Sequence, residues 1–324
     1  MEQQPKSRAQ CTSPELTRVT FWGVRGSIPT PGPETVIYGG NTTCVEVRSG
    51  SEIIILDAGT GLRPLGKTLA AEFQDQPLRA TLLLSHTHWD HIHGLPFFAP
   101  VYRPQNRLRI LGYEGAKNGL RAILASQMDT PYFPIGLREV PAAIQIEELT
   151  DMAFAIGDIQ VQACRANHPG VCVGYRLFTP HGSIAFFPDH ESRHGLYGGP
   201  GTPDTPGQRH DRQQDRRLAD FLRGVDVLIM DAQYDWNEYT DHVGWGHGCV
   251  DDVVALATQA EAKHLFLFHH DPDHHDAKIA EMADRARRIV AEKGGNLRVD
   301  AAREGLTIEL GGSEVSGCPP RTIG

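Results

Sequence analysis

Apolar residues in this chain are grouped in short, largely β-branched runs bounded by Gly, Pro and polar turns. The runs at 19–22, 44–47 and 53–56 predict three early strands. Comparable runs at 80–84, 108–111, 159–164, 171–178, 184–187, 225–230, 264–268 and 306–310 predict eight more. Between them the period changes. Ile279, Met282, Ala283, Ala286, Ile289 and Val290 form one stripe at helical spacing, which Gly294-Gly295 ends. A second stripe runs through Val250, Val253, Val254, Ala257 and Ala260, and a third helix is predicted over 62–73. Strands and helices alternate with no break in composition, so the pattern predicts one layered α/β domain over 17–311, with tails at 1–16 and 312–324. Two segments read as surface additions. Residues 115–141 predict a helix and a Pro-rich loop. The Gly- and Pro-rich stretch 197–207, a candidate lid, leads into Arg209, Arg212, Arg216 and Arg217 at the start of a solvated helix.

Composition narrows this picture a little. A chain of 324 residues can bury a large core, and its net charge of −9 sets no basic field around it, so long nucleic acid is not an expected partner. Small anions remain open, because bound cations reverse the potential locally. The six cysteines (Cys11, Cys44, Cys164, Cys172, Cys249, Cys318) include no C-x-x-C pair, which argues against a zinc ribbon and for reduced thiols. The polar start, with Pro5 and Pro14, lacks the apolar core of a secretory signal, and no run is long enough to cross a bilayer. A cytoplasmic protein with no membrane partner is expected.

The chemistry is concentrated after the fourth run. Leu82-Leu83-Leu84-Ser85 leads directly into His86-Thr87-His88-Trp89-Asp90-His91, four ligand-type side chains within one short turn. In extended backbone, residues two apart project to one side, so His86 and His88 can grip one cation while Asp90 and His91 turn toward a second.

This H-x-H-x-D-H run resembles the signature of the metallo-β-lactamase superfamily. The resemblance implies an αββα sandwich: two mixed sheets flanked by helices, with metals at one edge. It also implies further ligands in a set order, and Asn167-His168-Pro169-Gly170, Phe186-Phe187-Pro188-Asp189 and Leu267-Phe268-His269-His270 stand in the matching places. The implied assignment is His86, His88 and His168 to one ion, Asp90, His91 and His269 to the other, and Asp189 as the bridge. His270 is the alternative to His269. His264, His274 and His275 match no ligand and are expected on the surface.

Val243-Gly244-Trp245-Gly246-His247-Gly248, following Leu228-Ile229-Met230-Asp231-Ala232-Gln233-Tyr234, resembles the phosphoribosyl cyclic phosphodiesterases and transfer-RNA 3′ endonucleases of the superfamily. There the His at the place of His247 lies close to the scissile phosphate; a structural His in a Gly loop is the other reading. The chain departs from the endonucleases in having no room for a substrate arm between His168 and Asp189, and in Gly248-Cys249 where they carry Ser-Thr. It departs from the phosphonate-pathway enzymes in having no cysteine over 28–41. The resemblance implies a hydrolase with two divalent ions, zinc foremost and manganese or iron also accepted, acting on a cyclic nucleotide-like or other small phosphodiester. Asp90 would orient the attacking hydroxide, and His247 would stabilise the phosphoryl oxygens or protonate the leaving group. Thioester or lactone hydrolysis and non-catalytic metal sensing are the alternatives, and a homodimer is compatible with the sequence. Asp57, ending a strand, can support a ligand or act as a turn acid, and Asn41 and Thr42, after Gly39-Gly40, read as turn residues, with lining of the cleft as the alternative.

Overall fold

The computed structural model describes residues 16–113, 119–192 and 205–311. The expected tails, except residue 16, and most of the candidate lid lie outside the described residues.

Two seven-stranded sheets pack face to face. In the first, the order is β14 (Thr307–Leu310), β1 (Thr17–Gly23), β2 (Cys44–Ser49), β3 (Glu52–Leu56), β4 (Arg79–Leu84), β5 (Arg107–Gly112) and β6 (Ala143–Glu148). In the second it is β13 (Arg298–Ala301), β12 (His264–Phe268), β11 (Val227–Asp231), β10 (Gly182–Phe187), β9 (Val173–Thr179), β8 (Ile159–Arg165) and β7 (Ala153–Ile156). Each sheet is antiparallel on one side and parallel on the other, the parallel parts being β3 to β6 and β10 to β13. The parallel strands are covered on both faces, which is why runs such as Leu82-Leu83-Leu84 and Leu265-Phe266-Leu267-Phe268 are apolar throughout.

Three apolar clusters define four layers. The middle one, with Phe21, Leu83, Tyr175, Phe186 and Phe268, lies between the sheets. On the first sheet's outer face, Leu62, Leu65 and Leu69 of α1 (Leu62–Glu72) and Leu120 and Leu124 of α3 (Gly119–Ser126) pack over Leu82 and Ile110. On the second, α4 (Pro206–Leu222), α6 (Val250–Gln259) and α7 (Asp276–Glu292) pack over Leu228, Met230 and Leu265. The result is the αββα sandwich expected from the sequence.

All eleven predicted strands and all three striped helices are present. The strands not anticipated, β6, β7 and β13, are all sheet edges. Edge strands bury one side at most; β6 and β13 are half-polar, and β7 (Ala153-Phe154-Ala155-Ile156) is apolar but only four residues long, so each carries little signal. Parallel strands end together at one rim, and β3, β4, β10, β11 and β12 all deliver polar side chains to it.

Candidate metal centre

The rim is built from strand ends. β4 runs into His86 and His88, then into the short helix α2 (Trp89–Ile92), which carries Asp90 and His91. β8 ends shortly before His168, β10 before Asp189, and β12 before His269. Two donor groups of the expected ligands result, His86, His88, His168 and Asp189 in one, and Asp90, His91 and His269 in the other; a third, Asp189, His247 and His269, overlaps both. Asp189 joins them by dividing its carboxylate. Its Oδ2 lies 3.6 Å from His86 Nε2 and 3.6 Å from His168 Nε2, while its Oδ1 lies 3.1 Å from His91 Nε2 and 3.4 Å from His269 Nε2. Asp90 Oδ2 stands 3.1 Å from both His91 Nε2 and His269 Nε2, and His168 Nε2 stands 3.0 Å from His88 Nδ1. Donors about 2.0–2.2 Å from one tetrahedral ion sit roughly 3.4 Å from each other, so both groups have the size of a cation's shell.

Two further observations test the fit. His86 Nε2 is buried with no hydrogen-bond partner, and His91 Nε2 and Asp189 Oδ1, although 3.1 Å apart, are buried without a well-aligned hydrogen bond, a costly state that ligation would relieve. In addition, four imidazoles have their far nitrogen held from behind. His86 Nδ1 meets Ser85 Oγ at 3.0 Å, His91 Nδ1 meets Asp57 Oδ2 at 2.7 Å, His168 Nδ1 donates to the Gly246 carbonyl at 2.9 Å, and His269 Nδ1 donates to Gln233 Oε1 at 3.0 Å. Such partners fix ring orientation and leave Nε2 aimed at the ion. The donor set therefore suits divalent cations.

Local backbone is strained where it serves this rim. Ser27, Asp57 and His269 adopt left-handed φ angles near 60°, which non-glycine residues take at a cost. Each has a polar contact that holds it there. Asp57 accepts from Ser85 N and Oγ, both at 2.7 Å, Ser27 N donates to Asp90 Oδ2 at 2.8 Å, and His269 is tied to Gln233. Gly26 lies so close to the His269 ring that a Cβ there would approach it to 2.5 Å.

The electrostatics follow from burial and neighbours. Burial disfavours the charge on His91, but Asp189, Asp90 and Asp57 outweigh it and raise its pKa well above the ordinary range. Burial penalises Asp90 and Asp189 too, yet the surrounding imidazoles hold both carboxylates well below theirs. His86, facing other imidazoles in a buried position, is pushed down. His247 stands apart: its Nδ1 is 2.9 Å from Asp231 Oδ2 and 3.9 Å from Asp189 Oδ2. Burial lowers its pKa, but Asp231 above all, then Asp189 and Asp90, push it up to about 9.

Seven proposed ligands and His247 are thus brought together. His270 is not among them, since its Nε2 donates to the Ala302 carbonyl at 2.9 Å and burial pushes it down to about 3. The expectation that His264 and His274 lie on the surface is corrected: both are buried, His264 against Asp300 at 2.9 Å and His274 against Glu238 at 2.9 Å. Only His275 is exposed, where its side chain caps α7. Asp57 supports His91 and is not a simple turn acid. Asn41 binds Glu304, and Thr42 exchanges hydrogen bonds with Thr60, so neither touches the donor groups in the contacts seen. Ser27, Ser85, Asp231 and Gln233 received no role from sequence. Asp231 and Gln233 could have drawn notice because they end the buried strand paired in register with the one leading to His269. Cys44, Cys164, Cys172 and Cys249 are free thiols.

Residues 52–270 match the family model described as "Beta-lactamase superfamily domain". A ribonuclease Z of Lachnospira eligens is 21% identical over 330 aligned positions, covering 90% of this chain and 97% of that protein. Among solved structures, the metallo-β-lactamase fold protein YhfI of Bacillus subtilis superposes with a TM-score of 0.62 at 17% identity, covering 91% of this chain and all of that one. A diphosphatase of the PhnP family superposes at 0.60 and 17% identity, covering 92% and 98%. The two structures establish the fold.

Proposed function

We propose that this chain, which belongs to the β-lactamase superfamily and is a metal-dependent hydrolase of it, hydrolyses a small phosphodiester, cyclic or nucleotide-like, with two divalent cations. The observation that carries this reading is the divided carboxylate of Asp189, with the Asp231–His247 pair 3.9 Å from it. A donor set of imidazoles and carboxylates suits zinc foremost and also accepts manganese or iron. His86, His88 and His168 would hold one cation, Asp90, His91 and His269 the other, and Asp189 both. Bound there, the cations supply Lewis acidity toward phosphoryl oxygens and lower the pKa of water.

The chain's own groups do the rest. Asp90, kept ionised by His91 and His269, accepts a hydrogen bond from the attacking water and so orients it in line with the leaving oxygen. His247 holds a proton because Asp231 favours its charged form. It donates that proton to the leaving oxygen, or binds the phosphoryl oxygens as charge gathers on them. The stretch from His168 to Asp189 supports a small substrate, since it is filled by β9, a tight turn at Pro180-His181, and β10.

The ribonuclease Z relative favours a second reading, a folded RNA cut near its 3′ end, and tells against the expectation that long nucleic acid is excluded. The formal charge of −9 weighs against it. Turnover should be measured on cyclic and linear phosphodiesters, an RNA with a 3′ extension, a thioester, a lactone and a β-lactam. Cleavage of small phosphodiesters is expected; cleavage of acyl substrates alone would overturn the reaction type, and of RNA alone the substrate size. None of the described helices is long and apolar enough to cross a membrane.

A further inference from the structure

Glu191 lies two positions past Asp189, is only 2% exposed, and has no part in the donor groups. Its carboxylate faces the loop that carries His247. Oε1 accepts from Gly244 N at 2.7 Å and from the Tyr239 hydroxyl at 2.9 Å, while Oε2 accepts from Gly246 N at 3.1 Å. Its main chain is tied to the His168 loop: Glu191 N donates to the Asn167 carbonyl at 2.9 Å, and Asn167 Nδ2 donates to the Glu191 carbonyl at 2.7 Å. One buried residue therefore spans three rim loops.

The loop it grips cannot hold itself. Gly244 and Gly246 both have left-handed φ angles, 89° and 91°, and glycines fix such a turn only against a large loss of backbone freedom. Gly246 is also confined by its neighbours, because a Cβ would come within 2.5 Å of His168 Nδ1. The Gly246 carbonyl is what His168 Nδ1 donates to, and His247 is the next residue. Two backbone N–H groups converging on one carboxylate form a strong, charge-assisted clamp.

We infer that Glu191 is a positioning residue: by clamping Gly244 and Gly246 it sets the Gly246 carbonyl that aims His168 at its cation, and it places His247 beside Asp189. The inference rests on the reading above, in which His168 ligates and His247 acts on substrate. Its effect is directional. Loosening the loop acts first on the pocket of His86, His88 and His168; it reaches the other only through the His247 ring, which stacks on His269 at 4.9 Å, so the pocket of Asp90, His91 and His269, supported by Asp57 and Gln233, changes less.

The test is a zinc titration of the metal-free full chain against a competing chromophoric chelator, with His168→Ala marking which step belongs to its pocket. Glu191→Gln turns one acceptor oxygen into a donor facing the glycine N–H groups. The marked step should weaken by about 10–100-fold, the usual effect of losing such support, while the other changes by less than about 3-fold. On bis(p-nitrophenyl) phosphate with saturating zinc, kcat should fall by about 10–100-fold with KM nearly unchanged. Two steps of wild-type strength, or two steps weakened equally, would overturn the inference. If Glu191→Gln does not fold, Glu191→Asp, which keeps the charge and withdraws it from the loop, should weaken the same step; an unchanged step there is equally fatal. A wild-type chain that cleaves no phosphodiester would count against the proposed reaction, whereas the zinc steps decide the role of Glu191 on their own.

Discussion

The two pockets of the rim share one carboxylate and differ in almost everything else. Around Asp90, His91 and His269 every donor is buried, and the backing comes from within the strands' own ends through Asp57 and Gln233. Around His86, His88 and His168 the second donor is exposed, while the buried His168 ring takes its backing from a glycine loop held by Glu191. A sealed pocket favours retention of its cation; an open one leaves coordination positions for substrate and exchanges more readily. Proteins that do chemistry with two ions need both properties, and here the strand ends supply the first while loops supply the second.

Removing the shared group should erase the contrast. Asp189→Ala takes a donor from both pockets, so activity should disappear and metal retention should weaken at both; a variant with two firmly held ions and normal turnover would refute the bridge. His247→Gln removes the proposed proton donor and leaves the seven proposed ligands whole, so kcat should fall by about 10²–10⁴-fold with both ions kept. Loss of metal in that variant would make His247 a structural support or ligand.

Asp57→Asn falls chiefly on the sealed pocket, although Asp57 also holds the Ser85 hydroxyl that backs His86. Losing the carboxylate behind His91 should weaken that ion by about 10–100-fold and the open pocket's ion by less, the reverse of Glu191→Gln. Equal weakening of both, seen in zinc titration, would show that the pockets are not independently supported.

The smallest effect concerns His270, buried and neutral behind the sealed pocket. Burial first, and then Arg25, hold its pKa at about 3, although its hydrogen bond to Ala302 favours the charged form. An unfolded His titrates near 6.5, so the stability gained from this depressed group is whole above about pH 6.5 and is lost as pH falls toward 3. In the metal-free chain, the urea midpoint gap between wild type and His270→Gln should therefore be wider at pH 7.5 than at pH 4.5. A gap that stays constant would show that His270 titrates alike in both states.

The contrast between pockets also marks what could be read from sequence. The layered α/β domain was legible because buried parallel strands must be apolar throughout, the αββα sandwich through the family resemblance, and the run from His86 to His91 because four donor side chains follow such a strand at once. His168, Asp189 and His269 were found only through the family resemblance, which implies ligands in that order after successive strands. Asp231 with His247, and Glu191 with Gly246, could not be paired beforehand, since only the folded chain brings loops so far apart in sequence together. The same reason misplaced His264 and His274, whose partners Asp300 and Glu238 lie far along the chain. β6 and β13 escaped notice as half-polar edges, and β7 as a run of only four residues.

The central claim is that one carboxylate joins two cation pockets of unequal closure. Metal content of the zinc-loaded chain after dialysis, counted by mass spectrometry for wild type and for His168→Ala, tests it most directly. Two ions per wild-type chain and one in the variant are predicted. A wild-type chain that keeps one ion or none, or a variant that still keeps two, would contradict it.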